Sequence, residues 1–403
     1  MSSQYKRIKT IVKKLKVFLI NNLMSLIPRN KNIWAFNCMV NDKAGVCGFT
    51  HNTKYLFLYL SAHPEYNVTP VWITPDKEIV EVLRENGYRA YYKKSIKGYF
   101  YCLFAKYYLL NLEVYTGEIA GRLIYGATKI NLWHGIPLKY IGNDNNTDYK
   151  KNPGWFRFIY EKLVLKNDYM IVNGEYEEKI YYNAFFMKKG KVKMLGSPRI
   201  DTIYKKLPGE ELFMEKDIDY IKLLKQKGKK IIIYVPTYRD TGKNVSGFVE
   251  NPCLKNILSD NNAVLLCKLH PVDNNNLKID TSEEFYKIGN RSDVNAILKY
   301  CDFLITDYSS VAFDFLLLDK PIVYYPLDLE EYQRTCHGFY TDYKEYVAGP
   351  VAYREDELIS ELNEALNGVD EYREHRKILR DKMFKYQDGE NCKRVTDWIR
   401  SLK

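Results

Sequence analysis

Four short stretches each place reactive or phosphate-binding side chains directly after an apolar run: His134 in NLWHGIPLK, Arg239 in YVPTYRD, Lys268 and His270 in CKLHP, and Thr306 to Ser310 in ITDYSS. An imidazole at a strand end can serve as general base for a hydroxyl nucleophile. His134 follows Trp133 and precedes Gly135 and Pro137, residues that turn the chain sharply and let a substrate approach the main chain. His270 repeats the arrangement later in the chain, again before a proline. A single histidine at a strand end is often structural; two of the six histidines in matching positions point to chemistry. Arg239 and Lys268 suit a diphosphate clamp, arginine by bidentate contact and lysine as a point charge. Solvated surface charge is the plainer reading of both.

CDFLIT reads as a buried strand and SSVAFDFLLLDK as a helix, which puts Asp307, Tyr308, Ser309 and Ser310 in the turn between them. Free main-chain N–H groups and the positive end of a helix dipole meet at such a turn and bind phosphate without a metal. The alternative is an ordinary cap, with Asp307 or Ser309 holding the helix start and binding nothing. A Walker A loop, a GxGxxG fingerprint, HExxH and zinc-type Cys/His spacings are all missing, which disfavours a metal-bound or nicotinamide enzyme.

The elements around these stretches alternate short apolar runs with amphipathic segments from about residue 32 onward, the pattern of parallel α/β structure. NIWAFNCMV, VTPVWIT, YYLLNLEVY, TKINLWHG and DYMIVNG supply a first series, closed by KVKMLGSPRID; KIIIYVPTYRD, AVLLCKLHP, CDFLITDYSS and KPIVYYPL supply a second. Two such sheets predict two Rossmann-like domains facing one cleft, over 31–205 and 206–370, with basic helices in 371–403 packing back across it. Ligands in open α/β sheets bind beyond the strand ends, where the four stretches lie. IKGYFYCLFAKYYLLNL is expected to form a buried helix followed by a strand, with a second apolar contact to the membrane as the alternative.

The 403 residues carry 61 Lys+Arg against 50 Asp+Glu, a formal charge of +11 that favours an anionic partner. Residues 1–30 hold a basic stretch, KRIKTIVKKLKVFLINNLMSLIP, with Ile8, Ile11, Val12, Leu15, Phe18, Leu19 and Leu23 at helical spacing. That pattern suits a helix lying on an anionic membrane surface, or one packed on its own domain. No apolar run approaches the length needed to cross a bilayer, and no cleavable leader precedes the first strand. Eight scattered cysteines without CxxC spacing read as buried thiols in a reducing compartment. No RNP or helix-turn-helix signature supports nucleic-acid binding.

Taken together, the stretches resemble the CDP-glycerol glycerophosphotransferase family, whose pattern runs WHG-x-PLK, G-x-PR-x-D, PT-x-R, K-x-HP, TDYSS-x-x-x-D, then a GFY and GP pair. The chain carries Trp133 to Lys139, Gly196-Ser197-Pro198-Arg199-Ile200-Asp201, Pro236-Thr237-Tyr238-Arg239, Lys268-Leu269-His270-Pro271, Thr306 to Ser310 with Asp314, Gly338-Phe339-Tyr340 and Gly349-Pro350. It departs at Ile136, where threonine is common, at Tyr238, where tryptophan is common, and at His337, where an arginine often supplies a positive charge.

The resemblance implies a GT-B fold, with the acceptor on the N-terminal domain and CDP-glycerol on the C-terminal one. His134 and His270 are then the catalytic pair; Gly135, Lys139, Thr237, Arg239, Lys268, Thr306, Asp307, Ser309, Ser310 and Asp314 line the substrates. Asp328 and Glu330 would lie near the donor ribose. No cofactor and no strict metal requirement is expected. The partners would be CDP-glycerol, a polyprenyl-diphosphate-linked glycan acceptor and an anionic membrane surface, with the enzyme peripheral on the cytoplasmic face of the cell membrane. The short N-terminal region resembles primase-sized members. Transfer of ribitol phosphate by the same machinery, an ordinary nucleotide-sugar glycosyltransferase and a non-catalytic membrane-binding scaffold are the competing readings.

Overall fold

The structure, a computed structural model, describes residues 23–37, 39–41, 46–112, 123–145, 167–237, 239, 246–269, 282–335 and 338–402. Strands β1 (Asn30–Asn37), the hairpin β2 (Met39–Asn41) and β3 (Val46–Gly48), β4 (Thr69–Thr74), β5 (Ala90–Tyr92), β6 (Ala105–Leu110), β7 (Thr128–Asn131), β8 (Tyr169–Val172) and β9 (Val192–Met194) form the first half. β10 (Lys230–Val235), β11 (Ala263–Cys267), β12 (Phe285–Lys287), β13 (Phe303–Thr306) and β14 (Ile322–Tyr324) form the second. Among the described residues, every strand pairing apart from the antiparallel hairpin is parallel. Parallel sheets are covered on both faces, so their strands read as continuous apolar runs. Ile231, Ile232 and Ile233, three successive residues of β10, are all buried.

The first sheet runs β5-β4-β1-β6-β7-β8-β9 and the second β12-β11-β10-β13-β14. Each order reverses direction beside its first strand, the doubly wound arrangement, which opens a crevice at the carboxyl ends of β1 and β6 in one half and of β10 and β13 in the other. In the second sheet Val235 pairs with Thr306, so the Pro236–Thr237 and Asp307–Ser310 loops leave the sheet side by side. This is the α/β, GT-B architecture that the motifs imply.

The halves are tied together by buried polar contacts. The Arg199 guanidinium makes two hydrogen bonds of 2.8 Å to the Asp314 carboxylate, with both side chains buried. Asn52 accepts from the Arg199 main-chain N–H at 3.0 Å, and Asn295 donates to Asp314 at 2.9 Å. Ile136, Leu138 and Ile200 of the first half belong to the same hydrophobic core as Ile231, Leu304 and Phe315 of the second. Ile136 therefore occupies an apolar setting, in which the threonine hydroxyl common at this position would need a hydrogen-bond partner.

The last two helices cross between halves. Arg373–Met383 places Leu379 and Met383 in the second core, and Asn391–Ser401 places Cys392, Val395 and Ile399 in the first, beside Trp34 and Tyr107. The Asp201 carboxylate accepts the main-chain N–H groups of Asn391 and Cys392 at 2.9 and 2.8 Å, capping the final helix. Two residues of the G-x-PR-x-D motif thus act as fasteners: Arg199 between halves, Asp201 on the crossover helix.

Several local expectations change. The helix at Ile96–Phe104 is followed by β6 as expected, but it is not buried: Ile96 is 89% and Phe100 49% exposed. Gly98 and Cys102 on it are buried, and Tyr101 packs partly against the core. The helix after the TDYSS turn is short, Val311–Leu316, and starts at Ser310 without a side-chain cap, so neither Asp307 nor Ser309 caps it. Of the described free cysteines, Cys102, Cys267, Cys301 and Cys392 are buried and Cys253 is exposed. His270, Tyr238, His337 and residues 1–22 of the basic stretch lie outside the described residues.

Candidate active site

His134 is held by an unusual local backbone. Trp133 has φ of +51°, a left-handed conformation that a bulky side chain adopts at a cost of about 1–3 kcal/mol. Asn131 accepts the Trp133 N–H at 2.9 Å, and the Asn52 amide donates to the carbonyls of Leu132 and Trp133 at 2.8 Å each. These contacts turn the chain out of β7 and aim the next side chain. The His134 Nδ1 lies 3.0 Å from the main-chain oxygen of Asn111. A carbonyl only accepts, so the neutral ring carries its proton on Nδ1 and leaves Nε2 as a base. Burial pushes the imidazole pKa down to about 3, and the neighbouring His51 ring lowers it further, while the Asn111 carbonyl opposes the shift. The ring is unprotonated at neutral pH.

His134 lines a cleft of about 350 Å³ together with Lys139 from the first half and Thr237, Lys268, Ser309 and Ser310 from the second. Gly135 lies against Ser310, and a Cβ there would displace the Ser310 side chain. Across the cleft from the base, Lys268 donates to the carbonyls of Gly289 and Asn290 at 2.6 and 3.1 Å. Burial pushes its ammonium pKa down to about 8, with Asp217 and Asp293 pulling the other way. Lys139 donates to the Tyr332 hydroxyl at 3.2 Å, and its main chain pairs with Phe339, so the GFY segment clasps the His134 loop from the other half. Tyr340 extends the clasp by accepting the Ile141 N–H at 3.2 Å and donating to Asp144 at 2.8 Å.

Four residues expected on the substrates stand behind the cleft wall. Arg239 is buried and makes two hydrogen bonds to Asp328 at 2.8 and 2.9 Å and one to Asp307 at 2.8 Å. Its guanidinium also sits 4.9 Å from the ring centres of both Tyr308 and Tyr332. Burial disfavours its charge, and the two carboxylates more than restore it. Asp307 additionally accepts the main-chain N–H of Thr237 at 2.9 Å and that of Tyr308. Arg239 therefore braces the two loops that line the cleft. Asp328 accepts from Arg239 and, at 3.1 Å, from the Tyr308 hydroxyl, which ties its carboxylate into this brace. Thr306 is buried and donates to Val235 at 2.7 Å, and Asp314 is held by Arg199 and Asn295. Among the described residues no group of three or more His, Cys, Asp or Glu side chains is placed to hold a metal ion.

Sequence reasoning missed Asn111 and His51. Asn111 is a hub: its carbonyl accepts the His134 Nδ1–H, its side-chain oxygen accepts from Thr53 N–H at 3.1 Å, and its amide donates to Thr53 Oγ1 at 2.6 Å. The available signal was a lone asparagine ending the apolar run YYLLN. The His51 ring centre lies 6.0 Å from that of His134. It starts the helix His51–Ala62, and nothing in the sequence marks it as close to the second imidazole.

The chain matches the family described as CDP-Glycerol:Poly(glycerophosphate) glycerophosphotransferase over residues 25–401. A teichoic acid poly(glycerol phosphate) polymerase of Bacillus spizizenii is 29% identical over 393 residues, covering 94% of each chain. A teichoic acid glycerol-phosphate transferase of Staphylococcus aureus is 28% identical, covering 97% of this chain and 99% of its own. The S. aureus ribitol-phosphate polymerase TarL is 32% identical over 272 residues, 66% of this chain and 46% of its own. In fold, the chain is similar to the wall teichoic acid polymerase TagF, with a TM-score of 0.74 at 21% identity over 98% of this chain and 97% of that one.

Proposed function

The chain belongs to the CDP-glycerol:poly(glycerophosphate) glycerophosphotransferase family, and from that membership we propose that it transfers glycerol phosphate from CDP-glycerol to a hydroxyl of a polyprenyl-diphosphate-linked saccharide or growing polymer. The product is a teichoic acid or related surface polymer, and CMP is released. The observation that carries this reading is the shared cleft: His134, its Nδ1 proton committed to Asn111, lines it together with Lys268, Ser309 and Ser310.

In this mechanism Nε2 of His134 takes the proton from the acceptor hydroxyl as its oxygen attacks the glycerol-bearing phosphorus. The new P–O bond forms while the bond to the CMP oxygen breaks. Charge developing on the phosphates meets the hydroxyls of Ser309 and Ser310 and the Lys268 ammonium, fixed groups that need little reorganisation. Lys139 approaches from the acceptor side. His270, which lies outside the described residues, would help at the same leaving phosphates, as the resemblance implies. Arg239 and Asp307 act through the loops they brace, and Asp314 through the junction between halves.

The acceptor lipid places the reaction at a membrane surface. The basic stretch over 1–30 and the exposed face of Ile96–Phe104 support peripheral binding there. Ile96 and Phe100 stand out beside the exposed Lys94 and Lys97, an apolar and basic combination suited to anionic lipid. Arg29 ties the main chain near the exposed Leu23 and Leu26 to that of Cys102 and Ala105, which brings the end of the basic stretch to this helix. Among the described residues no helix is long and apolar enough to cross a membrane.

Ribitol phosphate is the second reading of the donor, favoured by the 32% identity to TarL. Length does not sort primase from polymerase, because a relative named as a polymerase aligns over nearly its whole length. Incubation of the purified protein with CDP-glycerol or CDP-ribitol and two acceptors, a disaccharide-diphosphate-lipid and the same lipid already bearing glycerol phosphate, separates these readings. CMP release with CDP-glycerol supports the proposal, release with CDP-ribitol alone moves the substrate, and release with neither contradicts it.

A further inference from the structure

Among the described residues, His51 is the one imidazole near His134 that the mechanism above does not use. Three observations single it out. Its backbone has φ of +62°, a left-handed conformation at the first residue of a twelve-residue helix. Its Nδ1 is buried and has no hydrogen-bond partner among the described residues. Its ring meets that of His134 edge-on, at 6.0 Å between centres and 64° between planes. Buried polar atoms in folded proteins are nearly always satisfied, and an unsatisfied one calls for a specific cause such as a catalytic role or a bound water or ion. Backbone strain likewise gathers where a side chain must be held in one place.

The support beneath His51 comes from both halves. Its main-chain N–H donates to Asp293 at 3.3 Å, and the next turn of the helix adds Tyr55, which donates to the same carboxylate at 2.9 Å. Val294, the residue after Asp293, lines the cleft. Burial lowers the His51 pKa against the pull of Asp293, so the ring is neutral and offers one donor and one acceptor.

We propose that His51 contacts the acceptor, hydrogen-bonding the hydroxyl adjacent to the one His134 deprotonates. This rests on the glycerophosphotransferase reading. The two rings would then read a pair of neighbouring hydroxyls, the pattern at the free end of a glycerol phosphate unit, with one activated and the other held. His51 would thereby select polyol-ended acceptors.

The test pairs an enzyme change with a substrate change. His51→Gly keeps the left-handed backbone without strain, and His51→Asn tolerates it while retaining hydrogen-bonding groups. Each is assayed with CDP-glycerol and two acceptors, one ending in glycerol phosphate and one in propane-1,3-diol phosphate, which lacks the middle hydroxyl. The wild type should prefer the full acceptor by about 10-fold in kcat/KM, the size of one hydrogen bond. In His51→Gly that preference should vanish, in His51→Asn it should partly return, and the KM for CDP-glycerol should hold in both. Thermal melting checks that the variants fold. An undiminished preference in His51→Gly, or none in the wild type, would overturn the assignment. If the wild type releases no CMP from CDP-glycerol with either acceptor, the reading of the reaction itself fails and this inference falls with it.

Discussion

Gly135 and Ser310 belong to opposite halves of the chain, yet they approach so closely that a methyl group on Gly135 would overlap the Ser310 hydroxyl. The turn that carries the base and the turn proposed to bind the leaving phosphates are therefore in direct contact. Gly135→Ala should force them apart, at a cost of about 1–3 kcal/mol, and lower kcat by on the order of 10-fold or more, since small misplacements at reacting groups are expensive. Adding Ser310→Gly to that variant should recover melting temperature beyond what the two single changes predict. Additive effects on melting would show that the contact is not tight.

Much of this geometry could be read in the amino-acid order, and some could not. The apolar runs became β10, β11 and β13 because strands covered on both faces need continuous Ile, Val and Leu. The motif residues fell beyond those strands because parallel α/β sheets carry their loops there. Pairings between distant residues left no local trace. Arg239 reads from the sequence as a surface or substrate cation, and only its meeting with Asp307 and Asp328 shows it as an internal brace; Arg199 stands in a motif with no role legible locally until it meets Asp314. The apolar content of Ile96–Phe104 predicts a buried helix or an apolar contact with the membrane, and the structure divides the helix, with Gly98 and Cys102 buried and Ile96 and Phe100 exposed.

The buried Arg199–Asp314 pair makes a stability prediction. Removing one partner of a buried, hydrogen-bonded pair leaves an uncompensated charge and costs about 3–5 kcal/mol. Asp314→Ala should lower the denaturant midpoint accordingly. At temperatures where the variant remains folded, the KM for CDP-glycerol should change less than twofold. A large rise in donor KM with unchanged stability would instead place Asp314 on the substrate.

Arg239→Lys tests the brace behind the donor loops. Lysine keeps the charge but cannot span Asp307 and Asp328 with a planar fork. Both melting temperature and kcat should fall, with kcat lower by roughly 10-fold or more as the Thr237 and Asp307 loops lose their common anchor. A variant as stable and active as the wild type would contradict the role assigned to this side chain.

Lys268 gives a pH dependence with a definite sign. Its ammonium is pushed down to about 8, so the charge present at pH 7 is lost as pH rises through that value. If this charge holds the donor diphosphate, the KM for CDP-glycerol should climb above pH 8. Lys268→Arg, whose side chain stays charged, should move that limb to higher pH. A donor KM flat from pH 7 to 9.5 in the wild type would remove Lys268 from the donor site.

His134 carries the central claim, and the most direct test separates its chemistry from binding. The same assay is run with wild type and His134→Gln at saturating CDP-glycerol and acceptor, while donor affinity is measured by calorimetry. Loss of a positioned general base typically costs about 10²–10⁴-fold. The account predicts a fall of that size in CMP release with donor affinity within threefold of wild type. CMP release at the wild-type rate in His134→Gln would contradict it.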